Sequence, residues 1–438
     1  MQITNQILTS GWGNNFHSLS TKATIKNIAQ VQEVVASASR SRGILPVGLH
    51  RSYGDSALNS GGTLIEMTGL NAISIDPISR IATVGAGASI TELERAALTY
   101  SLFPPVVPGT GFVTVGGAVA ADIHGKSHHK TGSFSQALKR IVLLLASGEI
   151  AEYCASDPEF WATVGGLGLT GVILEVEIEL RTVESNSVNV YEHRVQSLEQ
   201  MLDLLNRSDA DYEHTVAWID LSGAYKGRGV VSLGNYGSNN LKEKGGSKPG
   251  PSLPSFGGKN FITPLSVRAF NEIWYRKPLK HGAVLLNKYM HPLDGVNNWN
   301  KIYGAKGFLQ YQFLIDVGQE QLFERLFAGL RELKASSFLG VIKKFGKASN
   351  APLSFPRAGW TLTLDYSTTV PGLEAFLRKF DEELVAAGGR IYLVKDSRVD
   401  PALIPTMYPE LNRWREIRGA MDPAGLWKSD QARRLQLC

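Results

Sequence analysis

Thr114-Val-Gly-Gly-Ala-Val-Ala-Ala-Asp-Ile-His-Gly-Lys126 is the stretch of this 438-residue chain that best indicates its fold. From Thr114 to Ala121 no large side chain occurs, so the backbone can pack directly against a flat or phosphorylated ligand. Pro108-Gly-Thr-Gly111 stands just before it and adds a second close turn. Taken alone, this segment predicts a nucleotide ligand and nothing more specific.

The stretch at Thr114 is the second Gly-rich segment in chain order, and the first is Pro46-Val-Gly-Leu-His-Arg-Ser-Tyr-Gly-Asp-Ser56, which continues to Asn59-Ser-Gly-Gly62. A short strand that ends in a tight turn dense in backbone N–H donors is what a phosphate nest requires. The segment lacks both the Gly-Lys-Ser/Thr of a Walker A loop and the G-x-G-x-x-G of a Rossmann turn. By itself it is as well explained by a structural turn.

A third Gly-rich segment runs from Phe160 to Val172 and contains Gly165, Gly166 and Gly168. It stands before a β-branched strand, where close main chain can line an adenine or a flavin. Three such segments in one α/β domain are a much stronger indication than any one of them. Together they predict a dinucleotide cofactor held by main chain.

Length and charge set the broad class of protein. A chain of 438 residues predicts two domains, and 43% apolar with 19% charged residues is ordinary for a soluble globular protein. The net charge of +5 is mildly basic, but Lys and Arg are not concentrated in one stripe or helix as in nucleic-acid binders. We therefore predict no nucleic-acid partner and a weak attraction to an anionic ligand or lipid surface.

Targeting features predict the location. The N-terminus has no basic stretch followed by an apolar run, and the strongest apolar run, Ile141 to Ala146, is far too short to span a bilayer. Cys154 and Cys438 are too few for a disulfide framework, and Cys438 lacks prenylation spacing. We expect a cytoplasmic protein, with peripheral contact with the inner membrane face left open.

Periodicity predicts an α+β chain. The first 180 residues alternate helical and strand patterns, and from about Glu184 strands and longer helices follow. A Gly-, Ser-, Asn- and Pro-rich stretch at about 234–264 predicts a mobile loop. The predicted elements are helices over 28–39, from 89 to about 100, 197–206 and 319–334, and strands over 43–48, 80–85, 187–194 and 214–221.

Three histidines, His124, His128 and His129, raise the question of a metal. No cysteine or carboxylate at ligand spacing accompanies them, so we predict no metal site.

With Asp422-Pro423 near the C-terminus, the three glycine segments resemble the FAD-binding domain of the vanillyl-alcohol-oxidase (PCMH-type) flavoproteins. The chain is similar in particular to the decaprenylphosphoryl-β-D-ribose 2-oxidase family, over nearly its whole length. The strings that carry this similarity are Gly11-Trp-Gly13, Arg51-Ser-Tyr-Gly-Asp55, Val113-Thr-Val-Gly-Gly117, Asp122-Ile-His-Gly-Lys126, Phe160 to Gly171, Trp274-Tyr-Arg-Lys277, His291-Pro-Leu-Asp294, Gly307-Phe-Leu-Gln-Tyr-Gln-Phe313, Ala351-Pro-Leu-Ser-Phe-Pro356, Lys395-Asp-Ser-Arg398 and Ala432-Arg-Arg-Leu435.

The resemblance implies a set of FAD contacts and a set of substrate contacts. The implied FAD contacts are Pro46, Val47, Gly48, Leu49, His50, Arg51, Ser52, Tyr53, Gly54, Asp55, Ser56, Gly109, Thr114, Val115, Gly116, Gly117, Ala121, Asp122, Ile123, His124, Val172 and Tyr392. The implied substrate contacts are Gln310, Gln312, Lys343, Lys395 and Tyr53, and the implied catalytic residues are Lys395, His124, Gln312 and Lys343.

These residue types suit the expected chemistry, in which a hydride leaves a carbinol carbon while its hydroxyl proton goes to a base or to water. Lys395 would stabilise negative charge on the reduced flavin, and Lys343 and the glutamines would hold sugar hydroxyls and a phosphate. The alternative for Lys395 is a pairing with Asp396, and for Gln310 and Gln312 a purely structural role.

Two positions depart from the family. Thr363 stands where some members carry a Cys beside the flavin, so that thiol is not needed for turnover here. His50 precedes Arg51 where close relatives have Gly. Superfamily members often tether FAD to a His in this turn, but the tether position aligns with Arg51, so we predict non-covalent FAD.

The resemblance implies FAD-dependent oxidation of the 2-hydroxyl of a polyprenyl-phosphoryl-β-D-ribofuranose. The 2-keto product would pass to an NAD(P)H-dependent keto-reductase for epimerisation to arabinose, a precursor for the cell wall. The alternatives are an aldonolactone or alditol oxidase acting on a soluble sugar, and a non-catalytic protein that uses the fold to bind a lipid or partner. The predicted domains are an FAD-binding domain over 1–183, completed by 390–438, and a substrate-binding domain over 184–389 with an antiparallel sheet flanked by helices.

Overall fold

The computed structural model describes residues 1–222, 227–242, 251–253, 258 and 260–437. Within them the chain forms two small sheets near its N-terminus and one large antiparallel sheet after residue 186. Helices cover both regions, and the predicted α+β class is confirmed.

The N-terminal region is built on short strands. They are β1 (Gln2–Ser10), β2 (His17–Thr24), β3 (Ile44–Val47), β4 (Thr63–Glu66), β5 (Ile73–Asp76), β6 (Ile81–Gly85), β7 (Leu102–Phe103), β8 (Leu138–Leu144), β9 (Ile150–Cys154), β10 (Val172–Glu179) and β11 (Arg181–Thr182). One sheet has the order β1-β2-β4-β3, in which β4 runs parallel to both β2 and β3. The second is antiparallel with the order β5-β6-β10-β8-β9, and β7 pairs with β11 alone.

The large sheet has eight antiparallel strands in the order β15-β12-β14-β13-β17-β18-β16-β19. Its members are β12 (Ser187–Val195), β13 (His214–Asp220), β14 (Arg228–Tyr236), β15 (His281–Leu285), β16 (Phe308–Ile315), β17 (Gly340–Phe345), β18 (Gly359–Ser367) and β19 (Arg390–Ile391). Every residue of β16 and β18 is buried, so these two neighbouring strands are covered on both faces.

Thirteen α-helices occur in the described residues. They are α1 (Ile28–Ser37), α2 (Ile90–Leu98), α3 (Val115–Ala120), α4 (His128–Thr131), α5 (Pro158–Thr163), α6 (Leu198–Ser208), α7 (Pro264–Arg276), α8 (Leu286–Met290), α9 (Gln321–Glu332), α10 (Leu373–Ala386), α11 (Ile404–Met407), α12 (Leu411–Met421) and α13 (Asp430–Arg434). Short 3₁₀ turns occur at Met67–Gly69, Phe134–Ala137, Pro292–Gly295, Trp299–Tyr303, Leu393–Lys395 and Pro401–Leu403. None of the described helices has the length and apolar character that crossing a bilayer requires.

Local capping explains where the predicted helices begin. Ser89 accepts from the N–H of Glu92, whose side chain accepts from the N–H of Ser89, which is the capping box that the sequence predicts. Asn27 caps α1 through one hydrogen bond, in which its side chain accepts from the N–H of Gln30. The helix predicted over 28–39 ends at Ser37 instead.

The predicted mobile loop at about 234–264 is wrong at both ends. Residues 234–236 complete β14, and Pro264 opens α7 at a position where its missing N–H costs nothing. Leu241 is fixed by hydrogen bonds to the side chain of Asn186. Within the remaining stretch, residues 243–250, 254–257 and 259 lie outside the described residues.

The C-terminal segment returns to the N-terminal region. Ile44 exchanges backbone hydrogen bonds with the segment at 426–428, and Arg434 forms two hydrogen bonds of 2.8 Å with Asp55. The sheets change after Thr182, near the predicted boundary at 183. Residues 390–391, however, belong to the large sheet as β19, so the return begins after them. The domain division stays a prediction.

Candidate functional site

A cavity of about 1020 Å³ lies where the N-terminal sheets meet the large sheet, and its walls come from both regions. This volume is at the upper end of the roughly 300–1,000 Å³ typical of ligand pockets. The predicted site residues that line it are Pro46, Val47, Gly48, Leu49, His50, Arg51, Ser52, Tyr53, Ser56, Gly109, Thr114, Gly116, Gly117, Ala121, Ile123, His124, Gln310, Gln312, Lys343, Tyr392 and Lys395.

The first Gly-rich segment offers unused backbone donors to this cavity. Within the described chain, no backbone N–H from Gly48 to Gly54 donates to another protein group. Carbonyls of the same turn are held instead, since Ser52 and Tyr53 accept from Trp12 and Gly13. A turn anchored through its carbonyls with free N–H groups toward a cavity suits an anionic ligand such as a pyrophosphate.

Arg51 adds a cation to this turn. Its guanidinium carbon lies 3.9 Å from the centre of a Trp12 ring and 5.4 Å from that of Phe112. Its Nε is buried and has no hydrogen-bond partner in the described chain. Burial lowers the pKa of Arg51, yet an arginine stays charged at neutral pH. Arg51 is therefore suited to bind a phosphate oxygen.

The second Gly-rich segment packs tightly against the first. A Cβ on Gly48 would stand 2.2 Å from the hydroxyl oxygen of Thr114, so only glycine permits this approach. Thr114 caps α3 by accepting from the N–H of Gly117. The N–H groups of Val115 and Gly116 donate to carbonyls of residues 88 and 86. This segment can therefore contact a ligand by close packing, while the first supplies the donors.

Five predicted FAD contacts, Gly54, Asp55, Val115, Asp122 and Val172, do not line the cavity. Val115 and Val172 are fully buried in hydrophobic clusters, and Gly54 packs against the carbonyl of residue 396. Asp55 binds Arg434, and Asp122 binds three serine hydroxyls. We expect these five to support the cavity wall rather than touch FAD.

His124, Gln312 and Lys343 meet at one point of the wall. The Gln312 amide donates to His124 Nε2 at 2.9 Å, and Lys343 Nζ lies 3.1 Å from His124 Nδ1. Burial lowers the pKa of His124 well below its ordinary value, so its ring is neutral. A neutral imidazole that accepts at Nε2 carries its hydrogen on Nδ1, facing Lys343. Because burial lowers the pKa of Lys343 to about 7, its uncharged amine can accept there.

Lys395, Tyr53, Gln310 and Asp365 form a second polar group. Lys395 Nζ lies 3.9 Å from the centre of the Tyr53 ring, and Gln310 donates to Asp365 at 2.6 Å. Burial lowers the pKa of Lys395 and raises that of Asp365, because both charges are removed from water together. No ion pair joins Lys395 to Asp396 in the described chain: Asp396 binds Arg434 at 2.8 Å, and the carboxylate that acts on Lys395 is that of Asp365.

Sequence reasoning missed Asp365 and most of the cavity's lysines. Lys126 donates to the carbonyls of Tyr289 and Met290 at 2.5 and 2.9 Å, and burial lowers its pKa to about 7. Six lysines line the cavity, against two carboxylates, Glu192 and Asp294. The lysines are Lys126, Lys277, Lys280, Lys288, Lys343 and Lys395. Such an excess of basic side chains over carboxylates suits an anionic substrate.

The three histidines have separate partners. His129 Nε2 lies 2.9 Å from a carbonyl oxygen, that of Tyr212, and His128 Nδ1 accepts from the N–H of Gly346. In the part of the chain that the structure describes, no group of three or more His, Cys, Asp or Glu side chains is placed to hold a metal.

Comparison with known proteins identifies the family. Residues 21–153 match the model of an FAD binding domain. Decaprenylphosphoryl-β-D-ribose oxidase of Mycolicibacterium smegmatis is 37% identical over 98% of this chain and 97% of its own length. The chain belongs to the decaprenylphosphoryl-β-D-ribose oxidase family. It is an FAD-dependent oxidoreductase, as the family resemblance predicts, and the free N–H groups with Arg51 fit that cofactor.

Other relatives support the fold only. The solved structure of 6-hydroxy-D-nicotine oxidase from Arthrobacter nicotinovorans superposes with a TM-score of 0.70 at 17% identity, covering 98% of this chain and 96% of that one. The probable L-gulonolactone oxidase 4 of Arabidopsis thaliana is 27% identical over 37% of this chain and 30% of its own length. The PCMH-type fold is therefore confirmed, while the lactone-oxidase likeness is partial.

We expect FAD to leave the protein when it is denatured in acid. His50 and Arg51 both line the cavity. The family resemblance aligns the tether position with Arg51, which cannot form a histidyl bond. Burial lowers the pKa of His50, and its Nδ1 lies buried without a partner in the described chain. Precipitation in acid followed by absorbance of the supernatant and the pellet tests this. Flavin that stays with the polypeptide would point to a tether at His50.

Proposed function

We propose that this protein oxidises the 2-hydroxyl of a polyprenyl-phosphoryl-β-D-ribofuranose to the 2-keto sugar. The relative of 37% identity is named for a decaprenylphosphoryl ribose, and it aligns with 98% of the chain. The observation that carries the proposal is that the FAD cradle and a lysine-rich pocket share one cavity, with the His124–Lys343 pair in its wall. Oxidation of a sugar phosphate requires the FAD cradle and the lysine-rich pocket in the same cavity.

The reaction removes a hydride and a proton from one carbinol. Bound FAD would supply the acceptor for the hydride of the carbinol carbon. We assign the proton of the hydroxyl to the uncharged amine of Lys343, whose lone pair turns from the Nδ1–H of His124 to the substrate hydroxyl, while Gln312 keeps the His124 ring in place. A base of pKa near the working pH suits this task. The O–H and C–H bonds break, and the carbonyl forms.

Lys395 supplies the complementary charge. Its pKa is lowered by burial, and Asp365 opposes that shift, so Lys395 can carry a proton near neutral pH. A cation in a dry site stabilises the negative charge that appears as the cofactor is reduced. Tyr53, whose ring lies beneath Lys395 Nζ, limits the directions in which the ammonium can point.

The remaining polar residues suit the rest of the substrate. Gln310 and Gln312 alternate on β16 and both reach the cavity, where amides can bind sugar hydroxyls. Lys126, Lys277 and Lys280 offer point charges for the phosphate. Thr363, beside Gln312 in the sheet register, takes the family's cysteine position, and we assign it no chemical role.

The proposed reaction also implies a partner enzyme and a location at a membrane surface. A 2-keto sugar becomes the arabinose epimer only when it is reduced from the opposite face, so an NAD(P)H-dependent keto-reductase must follow this enzyme. A prenyl chain is held in a membrane, so we place the enzyme peripherally at a membrane surface, although none of the described helices could cross one.

Anaerobic mixing with a polyprenyl-phosphoryl ribose should bleach the absorbance of oxidised flavin in a single turnover. The measurement is stopped-flow absorbance, and the product should carry one ketone at C2 by mass spectrometry. Free ribose, alditols and aldonolactones serve as controls and should bleach the flavin far more slowly. Rapid bleaching by those soluble sugars alone would favour the alditol or aldonolactone oxidase instead.

A further inference from the structure

Helix α7 turns an apolar strip toward solvent. Leu265, Ala269 and Ile273 stand four residues apart and therefore form one row along the helix. Leu265 is 78% exposed and Ile273 is 73% exposed, while Val267 and Tyr275 bury the opposite face. Exposed apolar side chains usually stand singly, and a contiguous row marks an interaction surface.

Two aromatic side chains connect this strip to the cavity. Phe270 and Trp274 stack with ring centres 5.9 Å apart, and each is about two-fifths exposed. Both also line the cavity that holds the proposed site. The apolar surface thus runs without a break from the cavity mouth to the outside of α7.

The surroundings of the strip are basic. Residues 264–288 carry five basic side chains and one acidic one, Glu272, which binds Arg228 and Arg276. Lys277 Nζ lies 3.4 Å from the centre of the Trp274 ring. Indole rings and cations side by side, next to an apolar strip, are typical of segments at the headgroup level of a membrane.

We propose that this α7 face, comprising Leu265, Ala269, Phe270, Ile273 and Trp274, docks on a membrane that contains anionic phospholipids. Anionic headgroups attract the basic side chains, while the apolar row enters the acyl boundary. A second copy of this chain fits the face poorly, because a twofold contact would bring its cations together. The cavity mouth then faces the lipid, and a prenyl chain leaving the cavity enters the bilayer. The inference that the cavity mouth faces lipid rests on the proposed function. The inference that α7 docks on a membrane rests on its exposed apolar row and the basic side chains around it.

The experiment is vesicle co-sedimentation of the flavin-loaded protein, with phosphatidylcholine vesicles that contain or lack phosphatidylglycerol. The wild type should bind the anionic vesicles, and added salt should weaken binding. The double substitution Leu265→Ser and Ile273→Ser should lower the partition coefficient roughly tenfold or more, since each apolar group then loses its transfer into lipid. Arg268→Glu, which keeps the apolar row, should weaken binding to anionic vesicles only.

A matched control replaces two apolar residues that are equally exposed elsewhere, Leu8→Ser and Ile78→Ser, and should leave vesicle binding unchanged. Equal vesicle binding by the wild type and the Leu265/Ile273 variant would overturn the proposal. The proposal would also be overturned if the Leu265/Ile273 variant kept its vesicle partition but lost a complex with a purified keto-reductase. That result would make the α7 face a protein-binding surface.

Reduction of the flavin by a water-soluble, short-chain prenyl-phosphoryl ribose separates the two proposals. Without vesicles, the Leu265/Ile273 variant should react within about twofold of the wild-type rate, because the row lies outside the cavity. If the protein binds vesicles but no such substrate reduces the flavin, the proposed function is rejected and the docking of the α7 face is supported. If the substrate reduces the flavin but the protein does not bind vesicles, the docking of the α7 face is rejected and the proposed function stands.

Discussion

Replacing Lys343 with methionine should slow flavin reduction by the lipid-linked ribose roughly 10²- to 10⁴-fold, the range that a general base contributes. Lys343 Nζ lies 3.1 Å from His124 Nδ1, inside the cavity wall. Methionine occupies similar space but cannot accept a proton, so the substrate should still bind while the chemistry slows. Single-turnover reduction under anaerobic conditions measures this rate apart from reoxidation.

The same rate should rise with pH around neutrality. Burial lowers the pKa of Lys343 to about 7, so its amine is charged below that pH and uncharged above it. Only the uncharged amine accepts a proton, so the rate should climb about tenfold per pH unit below the pKa and level off above it. His124 should add no step in this range, because burial holds its pKa well below the ordinary value. The methionine variant should lose the rise.

Lys344 provides the matched control. It neighbours Lys343 on β17 but binds Asp209 at 2.7 Å and does not line the cavity. Lys344→Met should keep both the rate and the pH profile, with a loss of stability below about 1 kcal/mol. A Lys343 variant that reduces flavin at the wild-type rate would contradict the assignment. A rate that falls as pH rises would instead assign Lys343 the role of a phosphate-binding cation.

Local features of the sequence predicted local features of the structure. The capping box at Ser89 fixes the start of α2, because both of its hydrogen bonds lie within four residues. The alternation of Gln310 and Gln312 places both on one face of β16, and both reach the cavity. Such inferences succeed because helix and strand periods are short.

The glycine segments show where local propensity fails. Thr114 to Ala121 predicts closely packed backbone without specifying its conformation, and residues 115–120 form helix α3 despite two glycines. Glycine is a weak helix former, but Gly116 packs against Ala86 at a distance that excludes any larger residue. Tertiary packing therefore decides the conformation, and the close approach of backbone that the sequence predicts is still obtained.

Partners distant in sequence could not be predicted. Asp365 reaches the site only because the register of β16 and β18 sets it opposite Gln310. No period in the sequence specifies that register, which depends on the packing of both strands. Lys126 belongs to the motif Asp122-Ile-His-Gly-Lys126, but only the fold brings its two carbonyl partners at 289 and 290 to it.

Replacing Asp122 with alanine should lower the free energy of unfolding by about 3–5 kcal/mol, because buried donors would lose a shared charged acceptor. Asp122 is fully buried and accepts from the hydroxyls of Ser133, Ser349 and Ser354 at 2.9, 2.9 and 2.5 Å. It also accepts from the N–H of Ser135 at 3.1 Å. Its φ of +38° adds a cost for alanine that aspartate and asparagine bear more easily. Urea unfolding of the flavin-loaded protein measures the loss.

Asp76→Ala is the control, because Asp76 also accepts from a backbone N–H and a serine hydroxyl, but at an exposed turn. That change should cost far less than Asp122→Ala, since water replaces the lost acceptor. Asp122→Asn should fall between the two, as it keeps the backbone preference and one oxygen. Asp122 also stands two residues before His124 and joins that segment to residues 349–354, so both Asp122 variants should release flavin at lower urea than the wild type. Equal losses for Asp122→Ala and Asp76→Ala would show that the serine cluster contributes nothing to the stability of the site.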